Sequence, residues 1–390
     1  MKILIVNNNM KIGGIQKSLV NLLHEIHDKH DVTLFLFHAS GGLFDSLPDN
    51  LKVITGNKFT KVMGMTQAEA RKDGIFSLLW RTFCVLLTRL LGIKASFSLL
   101  CRMQKIREPF DIAISFMQNS SFHVFYGGCN EFVLKSTEAQ RKIAFVHCDF
   151  INYEGNNPYN LLLYQRFDKI ACVSDSCKKR FNVVSPKIAH KTCSVHNCYR
   201  FQEMEQMAAE YKAFYTQDVV NIFTAARISR EKGIIRMIPI FANLKKSGCR
   251  FVWRIAGEGP EYQEALELQR QYGLEQEIVF LGMLKNPYPY FESSDLLLVP
   301  SFHEAAPMVF GEAAFFGIPV LTTETASADE LVSQRKIGWV CKNDNDSIAT
   351  ALKELLFDKE RIMKKRHSVL FSNAQALSEF DNLISEGEIW

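Results

Sequence analysis

Two carboxylates, Glu304 and Glu312, stand in the segment Ser301-Phe302-His303-Glu304-Ala305-Ala306-Pro307-Met308-Val309-Phe310-Gly311-Glu312. The apolar run Leu296-Leu297-Leu298-Val299-Pro300 before it reads as a buried strand. Pro307 sits where a helix would begin, and Gly317-Ile318-Pro319 stops that helix and opens the next strand. Glu304 therefore falls on a loop at a strand's carboxyl end, and Glu312 projects from the helix that follows. Open parallel sheets bind ligands at the carboxyl ends of their strands. A helix start adds free N–H groups and a positive dipole end, which suit an anion. Two acids beside such a site suggest hydroxyl recognition next to phosphate, the outline of a nucleotide sugar. A solvated helix with ordinary surface glutamates would carry the same letters.

Three other places carry chemistry. Arg227 and Lys232 follow the strand-like run Asn221 to Ala225, in Ala226-Arg227-Ile228-Ser229-Arg230-Glu231-Lys232-Gly233. Two cations at a strand end suit a departing diphosphate, Arg by a bidentate fork and Lys as a point charge. A solvated charge cluster is the plainer reading. His147 ends the run Lys142 to Val146 and could give a hydrogen bond to a sugar hydroxyl or meet developing charge, or simply be a satisfied polar residue. Gly13-Gly14 lies between a first strand and a helix from Ile15 to His27, where glycine lets backbone approach a ligand or merely makes a tight turn. The glycines lack GxGxxG spacing, and Phe37-His38-Ala39 puts no acid at the end of the second strand, so a nicotinamide dehydrogenase is disfavoured. Gly257-Glu258-Gly259-Pro260 is a turn before a helix, uninformative alone.

These residues need strands to hold them, and strand-like runs recur throughout. They are expected near 2–6, 32–37, 51–54, 111–116, 142–146, 169–173 and 192–195, then near 219–225, 251–256, 278–281, 295–299, 318–321 and 338–341. Short apolar runs between amphipathic helices predict two parallel sheets covered on both faces. With 390 residues the chain is expected to form two domains. They are placed at 1–197 and 198–372, with the tail 373–390 packing back on the first. The composition, 47% hydrophobic and 23% charged, is globular, and a net charge of +4 does not argue for nucleic acid as a partner. Ten cysteines are scattered without CxxC pairs or zinc spacing, which predicts reduced thiols, no metal site and a cytoplasmic location. Met1 to Val6 reads as a strand, not a signal peptide, and no run reaches the roughly 18 to 20 apolar residues of a spanning helix.

Gly13-Gly14, His147, Ala226-Arg227-x4-Lys232-Gly233, Gly257-Glu258-Gly259-Pro260 and Glu304-x7-Glu312 occur in an order that resembles the fourth family of retaining glycosyltransferases. Cys172-Val173-Ser174-Asp175-Ser176 and Val195-His196-Asn197 stand in place of two further motifs of that family. The resemblance covers nearly the whole chain and is strongest from 219 to 341. It implies the GT-B fold, two doubly wound Rossmann-like parallel-sheet domains facing across a cleft, the first for the acceptor and the second for a nucleotide sugar. It further implies that Gly14 backbone meets donor phosphates, with Gly13 beside it, and that Arg227 and Lys232 neutralise the leaving nucleoside diphosphate. Glu304 and the backbone of Ala306, Pro307 and Met308 hold the sugar, Glu312 the ribose, and His147 touches the sugar. By the same resemblance, the backbone around Gly282 and Met283 would lie beside the base. The implied activity is metal-independent transfer, without a cofactor, of a hexosyl or N-acetylhexosaminyl group from a UDP- or GDP-sugar with retention. The acceptor is an oligosaccharide or lipid-linked glycan in surface polysaccharide biosynthesis. Electrostatic stabilisation of the leaving group, not a protein nucleophile, supplies the rate, and the two glutamates fit hydroxyl acceptors better than a hydrolytic pair.

Ala226 and Cys198 depart from the family's glycines, although neither change removes a charge. A catalytically silent sugar-nucleotide-binding partner or sensor is the competing reading; a GT-B phosphorylase or epimerase is another, which nothing favours. Between Gly74 and Arg107 there is no Asp or Glu, but there are six cations, Arg81, Arg89, Lys94, Arg102, Lys105 and Arg107. Helical spacing over 78–93 puts Arg81, Thr82, Thr88 and Arg89 on a narrow polar stripe opposite Trp80, Phe83, Leu86, Leu87, Leu90 and Leu91. Segment 76–107 is thus expected either to lie on anionic lipid at the inner face of the plasma membrane, with Trp80 interfacial, or to be a buried helix of the first domain.

Overall fold

The computed structural model describes residues 1–366 and 372–385. It contains two parallel sheets. The first has seven strands: β1 (Lys2–Asn7), β2 (Asp31–Leu36), β3 (Lys52–Thr55), β4 (Ile106–Ser115), β5 (Thr137–Val146), β6 (Lys169–Cys172) and β7 (Thr192–Ser194). The second has six: β8 (Val220–Ala225), β9 (Phe251–Ala256), β10 (Ile278–Gly282), β11 (Leu296–Val299), β12 (Val320–Thr323) and β13 (Gly338–Cys341). Their orders are β3-β2-β1-β4-β5-β6-β7 and β10-β9-β8-β11-β12-β13. Each sheet is therefore wound outward from its middle twice, reversing between β1 and β4 in one and between β8 and β11 in the other. Ligands bind at such reversals, outside the carboxyl ends of the strands.

Near-continuous apolar strands follow from burial on both faces. In the second sheet, Ile222, Trp253 and Leu298 pack with the helix Ile234–Lys246, while Phe223, Leu297 and Val320 pack with Phe291 and Phe310 on the other side. β4 and β5 begin about five residues earlier than their apolar runs suggest. Their first halves carry polar residues such as Arg107, Glu108, Glu138 and Arg141, which mask the strand pattern. Mutual pairing (Phe110↔Ala139, Ile112↔Arg141) holds them, and Lys2 and Lys52 both reach Glu108 there.

The chain divides into two compact units, Met1–Cys198 with Asn373–Trp390, and Tyr199–Ser372. In the first unit the helix Ala374–Ser385 adds Ala376, Phe380, Leu383 and Ile384 to the core formed by β1, β2 and β4. Arg141 donates to the carbonyls of Leu383 and Ile384, and Glu379 accepts from the amide and ring of His196. Residues 386–390 of the expected tail lie outside the described residues.

The helix Ile75–Leu91 turns most of its polar stripe inward and leaves Arg89 exposed. Ser77, Cys84 and Thr88 are buried, and Arg81 and Thr82 are half-buried. Thr88 bonds Ser96 of the next helix at 2.7 Å, and Thr82 takes a bond from Gln67. Trp80 is half-buried: its Nε1 donates to the Phe59 carbonyl, and its ring lies against Phe59 and Phe83. Ile75, Phe76, Leu79, Phe83, Leu86, Leu90 and Leu91 are left exposed. Among the described residues, no helix is long and apolar enough to cross a membrane.

Candidate functional site

In the second unit the loop after β8 and the turn after β9 are held together by backbone bonds, Ile228 N–H to Glu258 and Ala226 N–H to Ala256. Gly257 has φ +148°, and a Cβ there would lie 1.9 Å from the Ala226 carbonyl oxygen, so the turn needs glycine for this approach. Gly282, which closes β10, accepts from the Gly257 amide at 2.7 Å, and Met283 beyond it is half exposed.

The loop after β8 carries Lys232 to the reversal point, and the loop after the neighbouring β11 brings Glu304 to meet it. Lys232 Nζ lies 2.6 Å from Glu304 Oε1, and the buried Ser301 hydroxyl donates to the same oxygen at 2.7 Å. With the Glu304 side chain only 10% exposed, this pair is partly shielded from water. Arg227 is not part of it. Its side chain is 67% exposed and reaches Glu231 at 2.9 Å, four residues on. An exposed pair of that kind contributes only about 0–1 kcal/mol, so the guanidinium can exchange partners at little cost. The helix Met308–Phe315 starts after Pro307, has no acid in its first turn, and buries Glu312. Ala306, Pro307 and Met308 form the approach to that helix, where the dipole favours negative charge.

The first unit has its own reversal, between β1 and β4. Gly13 and Gly14 follow β1 and open the helix Gly14–Ile26, whose first turn also lacks acids. A Cβ on Gly14 would meet nothing within 4 Å, so its backbone borders open space. His147 follows β5, the next strand after β4. Its ring lies against Phe116 (4.6 Å) and Phe145 (5.7 Å), and Nε2 is buried without a hydrogen-bond partner among the described residues. Burial pushes its pKa down to about 3, against the opposing pull of a Phe116 backbone bond. His147 is thus uncharged at neutral pH, a state in which the ring still gives and accepts hydrogen bonds.

Of the residues singled out from the sequence, then, the structure brings Lys232 and Glu304 into contact and puts Arg227 on the same loop as Lys232. Gly13, Gly14 and His147 lie at strand ends of the first unit. Sequence reasoning missed Ser301 as a partner of Glu304, and Arg236, Phe302 and Asn343 as supports of its loop. A cation four residues after Lys232 was the available signal, but it reads as an ordinary helix residue. No group of three or more His, Cys, Asp or Glu side chains is placed to hold a metal among the described residues.

Comparison with known proteins finds similarity to several glycosyltransferases. Salmonella typhimurium WcaL, named for colanic acid biosynthesis, is 32% identical over 144 residues, and that alignment spans about a third of each protein, 35% of this chain and 36% of WcaL. A Campylobacter jejuni GalNAc-alpha-(1->4)-GalNAc-alpha-(1->3)-diNAcBac-PP-undecaprenol alpha-1,4-N-acetyl-D-galactosaminyltransferase is 22% identical over 385 residues, 94% of this chain and 91% of that protein. Among solved structures, Anabaena Alr3699/HepE in complex with UDP and glucose superposes with a TM-score of 0.65 at 16% identity, covering 99% of this chain and 95% of that one. A Staphylococcus aureus TarM complex containing UDP gives 0.69 at 11% identity, covering 99% and 100%. The chain therefore has the GT-B fold of two Rossmann-like parallel-sheet domains, and its residues 213–370 match the family of glycosyl transferases group 1.

Proposed function

We propose that this protein transfers a sugar from a nucleoside diphosphate sugar to a glycan or lipid-linked acceptor, with retention at the anomeric carbon, in surface polysaccharide biosynthesis. The observation that carries the reading is the Lys232–Glu304 pair at the reversal between β8 and β11, inside the segment matched by the glycosyltransferase family. An incoming diphosphate competes with Glu304 for the Lys232 ammonium. Once Lys232 turns to phosphate, Glu304 is left with unsatisfied acceptor oxygens, which sugar hydroxyls fill. Arg227 leaves its exposed pair with Glu231 and adds a second cation, so charge on the departing diphosphate is neutralised as the glycosidic bond lengthens. Glu312 receives the ribose hydroxyls, the backbone at Ala306 to Met308 the sugar, and Gly282 and Met283 border the base. Gly13 and Gly14 offer backbone to the phosphates, and neutral His147 exchanges a hydrogen bond with a sugar hydroxyl. Nucleotide release with a panel of UDP- and GDP-sugars tests this. Lys232→Ala lowers release by about a hundredfold or more, and unimpaired turnover overturns the assignment.

The acceptor is read as membrane-borne from the exposed stripe on the helix Ile75–Leu91. Phe76, Leu79, Phe83, Leu86 and Leu90 recur at intervals of three and four, a single helical face. Arg89, Lys94 and Arg102 are exposed on this helix and the next, with no acid between Gly74 and Arg107. Apolar side chains flanked by cations fit the anionic cytoplasmic leaflet, where the protein would be peripheral.

A further inference from the structure

Between the helix Ile234–Lys246 and the loop after β11 lies a set of contacts that touches neither Lys232 nor Glu304. Arg236, in the first turn of that helix, donates from Nε (3.2 Å) and Nη2 (2.7 Å) to the carbonyl of Pro300. Nη2 also donates to Asn343 Oδ1 at 2.9 Å. The guanidinium carbon lies 3.9 Å from the centre of the Phe302 ring, close enough for stacking and cation–π attraction together. Phe302 is held from two further sides. Its amide donates to the Glu231 carbonyl at 2.8 Å, and its carbonyl accepts from Asn343 Nδ2 at 3.0 Å. Glu231 immediately precedes Lys232, and Phe302 lies two residues before Glu304. The chain is therefore fastened just upstream of each member of the ion pair.

We infer that Arg236 and Phe302 form a clip that fixes the register of the Glu304 loop against the Lys232 loop, making Arg236 a positioning residue for the reaction proposed above, on which its catalytic consequence rests. Local chemistry requires the arginine. A fork reaching one carbonyl and one amide oxygen while sitting over a ring cannot be copied by an ammonium. The carbonyl of Pro300 lies at the carboxyl end of β11, where no sheet partner follows, so the fork satisfies a group the sheet leaves open. Releasing the clip lets Glu304 drift relative to the cations, and a displacement of about 1 Å at a reacting centre costs on the order of a hundredfold in rate.

The test separates the clip from the reaction. Hydrogen exchange on the unliganded protein reads the amide of Phe302 directly. Arg236→Met and Arg236→Lys should both speed exchange at 301–304 by at least tenfold and leave the strands of the second unit unchanged, while Phe302→Tyr, which keeps the ring, should match wild type. Identical exchange in the arginine variants, or rescue by lysine, overturns the clip whether or not the protein transfers sugar. Steady-state kinetics with the donor that gives most release in the panel then reads its consequence. In Arg236→Met, kcat falls about ten- to a hundredfold while KM stays within threefold, because the diphosphate cations are untouched. A rise in KM with kcat unchanged, or unchanged kcat despite faster exchange, overturns the positioning role. A wild-type protein that releases no nucleotide removes the proposed function and leaves the exchange result to judge the clip.

Discussion

Replacing Leu79 and Leu86 together by glutamine should detach the protein from anionic membranes without loosening its fold. The two side chains are seven residues apart on one helical face, 63% and 51% exposed. Full burial of a leucine is worth about 1.5–3 kcal/mol. With somewhat over half of each side chain left to be covered, the pair contributes roughly 1.7–3.4 kcal/mol to docking. That corresponds to a loss of about fifteen- to three-hundredfold in partitioning, at about 1.4 kcal/mol per factor of ten. Because these side chains already face water, unfolding free energy should change by no more than about 0.5 kcal/mol. The assay is co-sedimentation with phosphatidylcholine vesicles, with and without one-third phosphatidylglycerol, alongside thermal melting. Wild type should sediment with the anionic vesicles, and the double variant should stay in solution with the same melting temperature. Equal sedimentation of both proteins, absence of wild-type binding, or a variant melting several degrees lower would refute the reasoning, the last because it would mean the face is packed rather than free.

Two further outcomes concern the fold around the site. Gly233 has φ +67°, and a Cβ there would fall 2.1 Å from the Pro300 carbonyl oxygen, so Gly233→Ala combines backbone strain with a clash and should cost about 2 kcal/mol or more in denaturant unfolding; a loss under about 0.5 kcal/mol would show that the two loops separate freely. Burial depresses the His147 pKa in the folded chain to about 3 from the ordinary 6.5, so between those values the unfolded chain binds more protons and the stability contribution is complete above pH 6.5 and lost as pH falls toward 3. His147→Phe should remove a component of up to about 1.4 kcal/mol per pH unit from the acid limb of the stability curve, and an unaltered limb would place the imidazole in water.

Strand positions were legible because buried parallel strands are written as bare apolar runs, as in Leu296 to Val299. Where polar residues occupy strand ends, as in β4 and β5, the runs understate the strands. Periodicity identified the helix Ile75–Leu91 as amphipathic but left open whether its apolar face is buried or free. A polar stripe made of Ser77, Thr82 and Thr88 can be satisfied by neighbouring side chains and backbone as well as by water, and only the partners Gln67 and Ser96, on other helices, decide between them. The contact of Lys232 with Glu304 depends on β8 lying beside β11, a strand order that no local pattern states. Arg236, Phe302 and Asn343 were silent for the same reason. Their significance lies in one carbonyl oxygen, that of Pro300, 64 residues from the guanidinium in sequence.

The helix Ala374–Ser385 has a consequence for how the molecule is made. Its side chains Ala376, Phe380, Leu383 and Ile384 complete a core whose other buried members were synthesised before residue 199. Emerging from the ribosome, the first sheet must wait with that apolar seam uncovered while the whole of Tyr199–Ser372 is translated. The second sheet has no such dependence and can close as soon as β13 and its following helix appear. In order of completion, the later-encoded unit is therefore ready first, and the earlier one is the natural target for a chaperone during synthesis.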